Sequence, residues 1–185
     1  MGIKEKIEQA LRETNREGIE GLLEYMEKSG FYKAPASTKY HGAAEGALAV
    51  HSLNVLNVAL DLAGAWCGAN WIENNRDSIT IAALLHDLGK SGQFNKPLYV
   101  ENILKKGRSE AQPFKTNDEL MTLPHEIVSV IEASKYIELT EDEQRAIAWH
   151  NGLYGVFKYE IQGKETPLYL LIHFADMWAS RVIER

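Results

Sequence analysis

LLHDLGK, residues 84–90, ends an apolar run with two polar side chains, His86 and Asp87, and follows them with Gly89 and Lys90. The segment leading into it, Ser78 to Leu88, opens on a serine suited to an N-cap, carries Ile79, Ala82 and Ala83 at helical spacing, and stops at a glycine. The pattern predicts a helix whose last turn places an imidazole beside a carboxylate where the core should close. Two such groups buried without partners would be strongly destabilising, so the chain must supply partners from elsewhere.

Outward from this motif the periodicity is mostly helical. Ile3, Ile7, Ala10 and Leu11 form one apolar stripe, and Ile19, Leu22, Leu23 and Met26 form a second, closed by Gly30. From about Ala44 to Trp66 a long helix is predicted, apolar on most sides and carrying His51. Downstream of the motif, residues 97–120 break the periodicity with Gly107, Pro113 and Asn117 and carry Lys105, Lys106, Arg108 and Lys115. This stretch reads as a loop or short hairpin inserted between helices, and its place after the motif favours substrate contact over a merely solvated loop. Pro124 suits a first helical position, with His125 in the first turn. Thr140 and Glu143 form a capping-box pattern for a helix ending near His150, Asn151 and Gly152. Residues 156–161, VFKYEI, alternate enough for a short strand, and Thr166 and Pro167 begin a final helix through Asp176. The expectation is an all-α bundle of seven or eight helices in one domain over residues 1–185, its core at about 41–181 and its N-terminal helices within 1–30, with the insertion and a possible hairpin near 154–163.

Composition narrows the chemistry. With 185 residues, 45% hydrophobic and 25% charged, the chain is long enough to bury a substantial core. A net charge of -6 argues against coating nucleic acid through general electrostatics, so any phosphate needs local positive charge. A single cysteine, Cys67, excludes a disulfide framework and a thiolate cluster. The N-terminus lacks a signal-peptide core and no run reads as a membrane span, so no membrane partner and a cytoplasmic location are expected.

Six histidines, at 41, 51, 86, 125, 150 and 173, lie in or beside helical segments, most near helix ends or in apolar runs. One buried histidine is ordinary; several together with Asp87 and Asp176 imply a shared partner, and a divalent cation satisfies them most simply. Imidazole and carboxylate donors suit iron, manganese, cobalt, nickel or zinc better than magnesium. His173, three residues before Asp176, reads as a support or core residue, Glu126 as a helix-start acid, and Trp66, Trp71, Trp149 and Trp178 as core.

The ordered set His51, His86–Asp87 within LLHDLGK, His125 within LPHEIVSV, His150 within AIAWHNG and Asp176 within HFADMWAS resembles the HD superfamily of metal-dependent phosphohydrolases, over roughly residues 41–181. HGAAEGALAVHS, residues 41–52, is similar to the histidine segment of HD modules in bacterial 3′ to 5′ exoribonucleases and relaxase-associated proteins. Two positions depart from that pattern: Gly42 and Asn151 stand where further histidines are often found. Nucleotidases, dNTP triphosphohydrolases and diadenosine polyphosphate hydrolases of the superfamily are equally natural comparisons.

The resemblance implies that His51, His86, Asp87 and Asp176 hold one metal ion and that Asp87 bridges to a second held by His125 and His150. It implies water-driven cleavage of a phosphoester or phosphoanhydride bond in a small phosphorylated substrate, a nucleotide foremost. Lys90 would meet a phosphate oxygen, and His41 would orient substrate or protonate the leaving group. The alternatives are a 3′ to 5′ exonuclease or phosphodiesterase on single-stranded nucleic acid, and a non-catalytic module with a structural metal.

Overall fold

The computed structural model describes residues 1–40, 42–121 and 123–185. Among them the chain forms eight α-helices: α1 (Ile3–Glu13), α2 (Ile19–Lys28), α3 (Ala47–Trp66), α4 (Ala69–Leu85), α5 (His125–Ala133), α6 (Glu141–Trp149), α7 (Lys158–Ile161) and α8 (Pro167–Trp178). A 3₁₀ turn, Leu88–Ser91, follows α4, and a π-helical turn, Ala179–Ile183, extends α8. The all-α architecture is the one expected.

The central helix is α3, which packs against α4 and α8, while α6 packs on α8, α4 and α5. One continuous apolar core runs from Ile7 and Leu11 of α1, through Leu48, Val55 and Ala59 of α3 and Ile79 to Leu85 of α4, to Ile172 and Ala175 of α8. By length and composition alone α3 could cross a membrane, but half of its apolar window is buried inside the bundle.

Two helix ends follow the expected chemistry. Thr140 accepts a hydrogen bond from the Glu143 amide while the Glu143 carboxylate accepts from the Thr140 amide, closing a capping box at α6. Thr166 accepts from the Tyr169 amide with Pro167 at the start of α8.

The insertion is a bent hairpin: β1 (Tyr99–Glu101) pairs antiparallel with β4 (Phe114–Thr116), and β2 (Ile103–Leu104) with β3 (Gly107–Arg108). Asn102 joins the two ladders by donating its amide to the Pro113 carbonyl and its side-chain nitrogen to the Gln112 carbonyl.

Four expectations are corrected. Ser78 is no N-cap but lies inside α4, which begins two turns earlier; residues 69–77 are largely exposed, so apolar spacing marks only the buried half of the helix. Ser78 instead donates to Glu143 of α6 at 2.8 Å. Pro124 caps α5 with extended backbone and does not enter it. VFKYEI is not a strand: among the described residues no second strand lies beside it, and it turns into the short α7, burying only Ile161. Trp66 and Trp178 are 59% and 56% exposed, with only Trp71 and Trp149 packed partly against the core.

Candidate metal centre

Five elements deliver the polar cluster to one place. His51 sits near the N-terminal end of α3, His86 follows the last residue of α4, His125 begins α5, His150 follows α6, and Asp176 lies in α8. Asp87 occupies the break between α4 and the 3₁₀ turn, at φ -106° and ψ 13°, the sparsely allowed bridge region in which active-site residues are often found.

The packing that permits this convergence depends on Gly89. A Cβ there would fall 2.3 Å from the His125 carbonyl oxygen, so only glycine lets the start of α5 lie against the HD turn. The Gly89 amide donates to Ser129 Oγ of α5 at 2.8 Å. Gly89 therefore serves close approach between elements and not the helix stop expected of it: α4 already ends at Leu85, and Gly89 lies within the 3₁₀ turn.

The two oxygens of Asp87 face different histidine pairs. Oδ2 lies 3.5 Å from His51 Nε2 and 3.4 Å from His86 Nε2; Oδ1 lies 3.1 Å from His125 Nε2 and 3.4 Å from His150 Nε2. Asp176 Oδ1 is 3.2 Å from His51 Nε2. His86 Nε2 and His51 Nε2 stand 3.2 Å apart.

The outer nitrogens decide the chemistry of the inner ones. His86 Nδ1 donates to the Ala83 carbonyl at 2.8 Å and His150 Nδ1 to the Ile147 carbonyl at 2.8 Å. His51 Nδ1 meets both Glu184 oxygens at 3.1 Å, and His125 Nδ1 lies 3.4 Å from Glu126 Oε2. With the proton held on Nδ1, each Nε2 presents a lone pair inward, the arrangement that second-sphere acceptors impose on metal-binding histidines.

Lone pairs and carboxylates facing one another repel unless something positive lies between them. Asp87 Oδ1 is buried without a well-aligned hydrogen-bond donor among the described residues. Two nitrogens bound to one ion at about 2.0–2.1 Å stand roughly 3 Å apart at common coordination angles, close to the His51–His86 separation. Ligand atoms of His51, His86 and Asp87, of His86, His150 and Asp176, and of Asp87, His125 and His150 each lie within 4.8 Å of one another. The residues fit a divalent cation, with imidazole nitrogens on both sides of Asp87.

Without an ion the cluster balances its charge with protons. Burial pulls the His51 pKa down, but Asp176 and Glu184 outweigh it and raise the value to about 10. Burial raises the Asp87 carboxyl, yet Lys90 and the histidines hold it well below the usual carboxylate range. Asp176 behaves alike, burial being outweighed chiefly by its bond to His51. Burial alone would lower the Lys90 pKa, but Asp87, 2.6 Å from its Nζ, raises it above the ordinary lysine value. A cation entering this cage competes with the His51 proton.

Lys90 is thus no solvated helix-end lysine. It lines the cleft of about 580 Å³ over the cluster, together with Tyr40, Asn151, Arg181 and Arg185. His173 lines the same cleft and supports the site by donating Nδ1 to the His150 carbonyl at 2.7 Å. Glu126, read from sequence as a helix-start acid, is instead buried beneath His125 and accepts from Asn151 Nδ2 at 2.8 Å. Asn151, at one position that departs from the histidine pattern, is therefore engaged in orienting the His125 side. Gly42, at the other, has φ +78°, and a Cβ there would lie 2.8 Å from the Ala36 Cβ. A histidine would not fit. His41 lies outside the described residues.

Glu184 escaped the sequence reading altogether. It follows the π-helical turn and receives Asn54 Nδ2 at 2.9 Å as well as His51. An acid near the end of a chain carries no local signal; only the return of the C-terminal segment across α3 gives it a role.

A family model described as HD domain matches residues 48–176, a span containing every member of the cluster. Among curated proteins, a dihydroneopterin 2′,3′-cyclic phosphate phosphodiesterase from Methanocaldococcus jannaschii is 41% identical over 58 residues, 31% of this chain and 23% of that protein. The match thus spans under a quarter of that relative's length. No solved structure matches.

Proposed function

Because the chain belongs to the HD domain family, we propose that it is a metal-dependent phosphohydrolase cleaving a phosphoester or phosphoanhydride bond in a small nucleotide-like substrate. The observation that carries this reading is the two-sided environment of Asp87, one oxygen toward His51 and His86 and the other toward His125 and His150. His51, His86, Asp87 and Asp176 would hold one cation, and Asp87, His125 and His150 a second. The nitrogen-rich donor set favours manganese, iron, cobalt, nickel or zinc over magnesium. When bound, such ions supply Lewis acidity toward a phosphoryl oxygen and lower the pKa of adjacent water toward neutrality.

The surrounding residues do the rest. Lys90, at the edge of Asp87, and Arg181, at the rim of the cleft, place positive charge where a phosphoryl group would gather negative charge, on a chain that is acidic overall. Glu184 and Glu126 keep His51 and His125 oriented. The similarity to a cyclic phosphate phosphodiesterase supports a phosphodiester among the candidate substrates.

The test begins with the metal content of protein purified without added metal or chelator. Nucleotides, 2′,3′-cyclic nucleotides and labelled single-stranded oligonucleotides are then offered with the ion found. Release of phosphate, or opening of the cyclic ester, is expected. Stepwise shortening of the oligonucleotide would move the assignment to a 3′ to 5′ nuclease, and absence of turnover across metals and substrates would overturn it.

A further inference from the structure

A second cleft, of about 430 Å³, lies on the other side of Lys90, between the inserted hairpin and the segment that follows α2. Its walls include Pro35, Tyr99 of β1, Arg108 of β3 and Phe114 of β4. Lys90, whose ammonium group is bound to Asp87, lines both this cleft and the one over the His/Asp cluster, so the two lobes adjoin at this residue. We propose that the hairpin cleft receives the planar heteroaromatic ring of the substrate, while its phosphoryl group lies over the cluster. This inference rests on the reading of the site as a phosphohydrolase centre.

The lining carries the argument. Volume and composition suit a small ligand: an apolar-walled recess with a few polar groups, in the size range of organic-ligand sites. The Arg108 guanidinium lies 4.6 Å from the Phe114 ring centroid and pairs with Glu101 at 3.3 Å, giving a flat edge suited to a π-face. Tyr99 stands half-buried beside Lys90. Burial raises its phenol pKa, with Lys90 opposing and Asp87 adding, so Tyr99 feels the charges of the cluster directly.

The hairpin base is anchored. The Phe114 amide donates to the Thr38 carbonyl, tying β4 to the segment that separates the two clefts. Lys105 and Lys106, by contrast, sit exposed at the far turn between β2 and β3 and do not line the cleft. The insertion therefore contributes its aromatic base to substrate, and not the charge at its tip.

The experiment uses the full metal-loaded chain and two substrates with the same reactive group: the 2′,3′-cyclic phosphate of adenosine and glycerol cyclic phosphate, which has no heteroaromatic ring. Tyr99→Ala and Arg108→Ala are expected to raise KM for the adenosine compound roughly tenfold more than for the glycerol compound, the scale of one lost base-stacking contact. A Lys105→Ala/Lys106→Ala double substitution should leave both KM values unchanged. Equal effects on both substrates, or a loss with the double substitution as large as with Arg108→Ala, would overturn the assignment. If neither substrate turns over, the fault lies with the proposed reaction, and calorimetric titration of adenosine into the unmetallated chain decides the cleft by itself. Saturable binding weakened by Tyr99→Ala upholds it, and no binding sinks it.

Discussion

Asp87 gives one carboxylate oxygen to each half of the histidine cluster, and this division sets what substitutions there should do. Asp87→Ala removes both contacts at once. It is expected to abolish metal retention, read as metal per chain after dialysis, and with it any turnover. Glu184 acts one step further out, through His51 Nδ1. Glu184→Ala frees that ring, and metal affinity should fall about 10- to 100-fold with the helical content unchanged, as measured by competition against a chromophoric chelator. Retained affinity would show that the packing of α3 alone orients His51. Among the residues legible beforehand, His86, Asp87 and His150 stood out because polar groups closing apolar runs need a reason. Glu126 had a sufficient local explanation as a helix-start acid, and Glu184 gave no signal, because an isolated acid on a helix-rich chain is normally a solvated one.

At the scale of elements, the contact between the HD turn and α5 is the joint that brings His125 and Asp87 together. Gly89→Ala inserts a methyl group against the His125 carbonyl. Overpacking of this kind costs about 1–3 kcal/mol, so urea denaturation should move to lower midpoint, and displacement of α5 should weaken metal binding as well. A second joint centres on Glu143. It accepts from Arg16 after α1 at 2.7 and 3.0 Å, from Ser78 of α4 at 2.8 Å and from the Thr140 amide at 2.8 Å. Burial would raise its pKa, but these donors win and lower it below 4.5 in the folded state. A depressed carboxyl stabilises the fold above its unfolded pKa, and the contribution disappears as the pH falls through the folded value. Thermal unfolding followed from neutrality down to about pH 3 should therefore show a steeper acid loss for the natural chain than for Glu143→Gln, which is less stable at neutrality and flatter toward acid.

For the whole molecule, the centre draws on α3, α4, α5, α6 and α8 together, so occupancy and global stability should be linked. An ion that binds the folded chain and not the unfolded one stabilises it by about 2.7 kcal/mol at a hundredfold excess over Kd. Stripping with chelator should accordingly lower Tm, and the fitting transition metal should restore it in a concentration-dependent manner while magnesium does so weakly. Melting that ignores chelator and metal alike would mean that the five helices hold the cage rigid without an ion.

Much of this was written along the chain. Apolar spacing, the Thr140 and Thr166 caps and the break in periodicity at Gly107, Pro113 and Asn117 marked the helices and the hairpin, because each is a local consequence of burial or backbone freedom. The order of histidines and aspartates pointed to the family before any coordinate. Tertiary structure alone decided how Asp87 divides its oxygens and that Lys90 sits between two clefts. It also decided that VFKYEI coils, since a strand exists only where another strand accepts its hydrogen bonds. Distances between side chains from separate helices depend on how whole faces pack, and no short window of sequence contains that information.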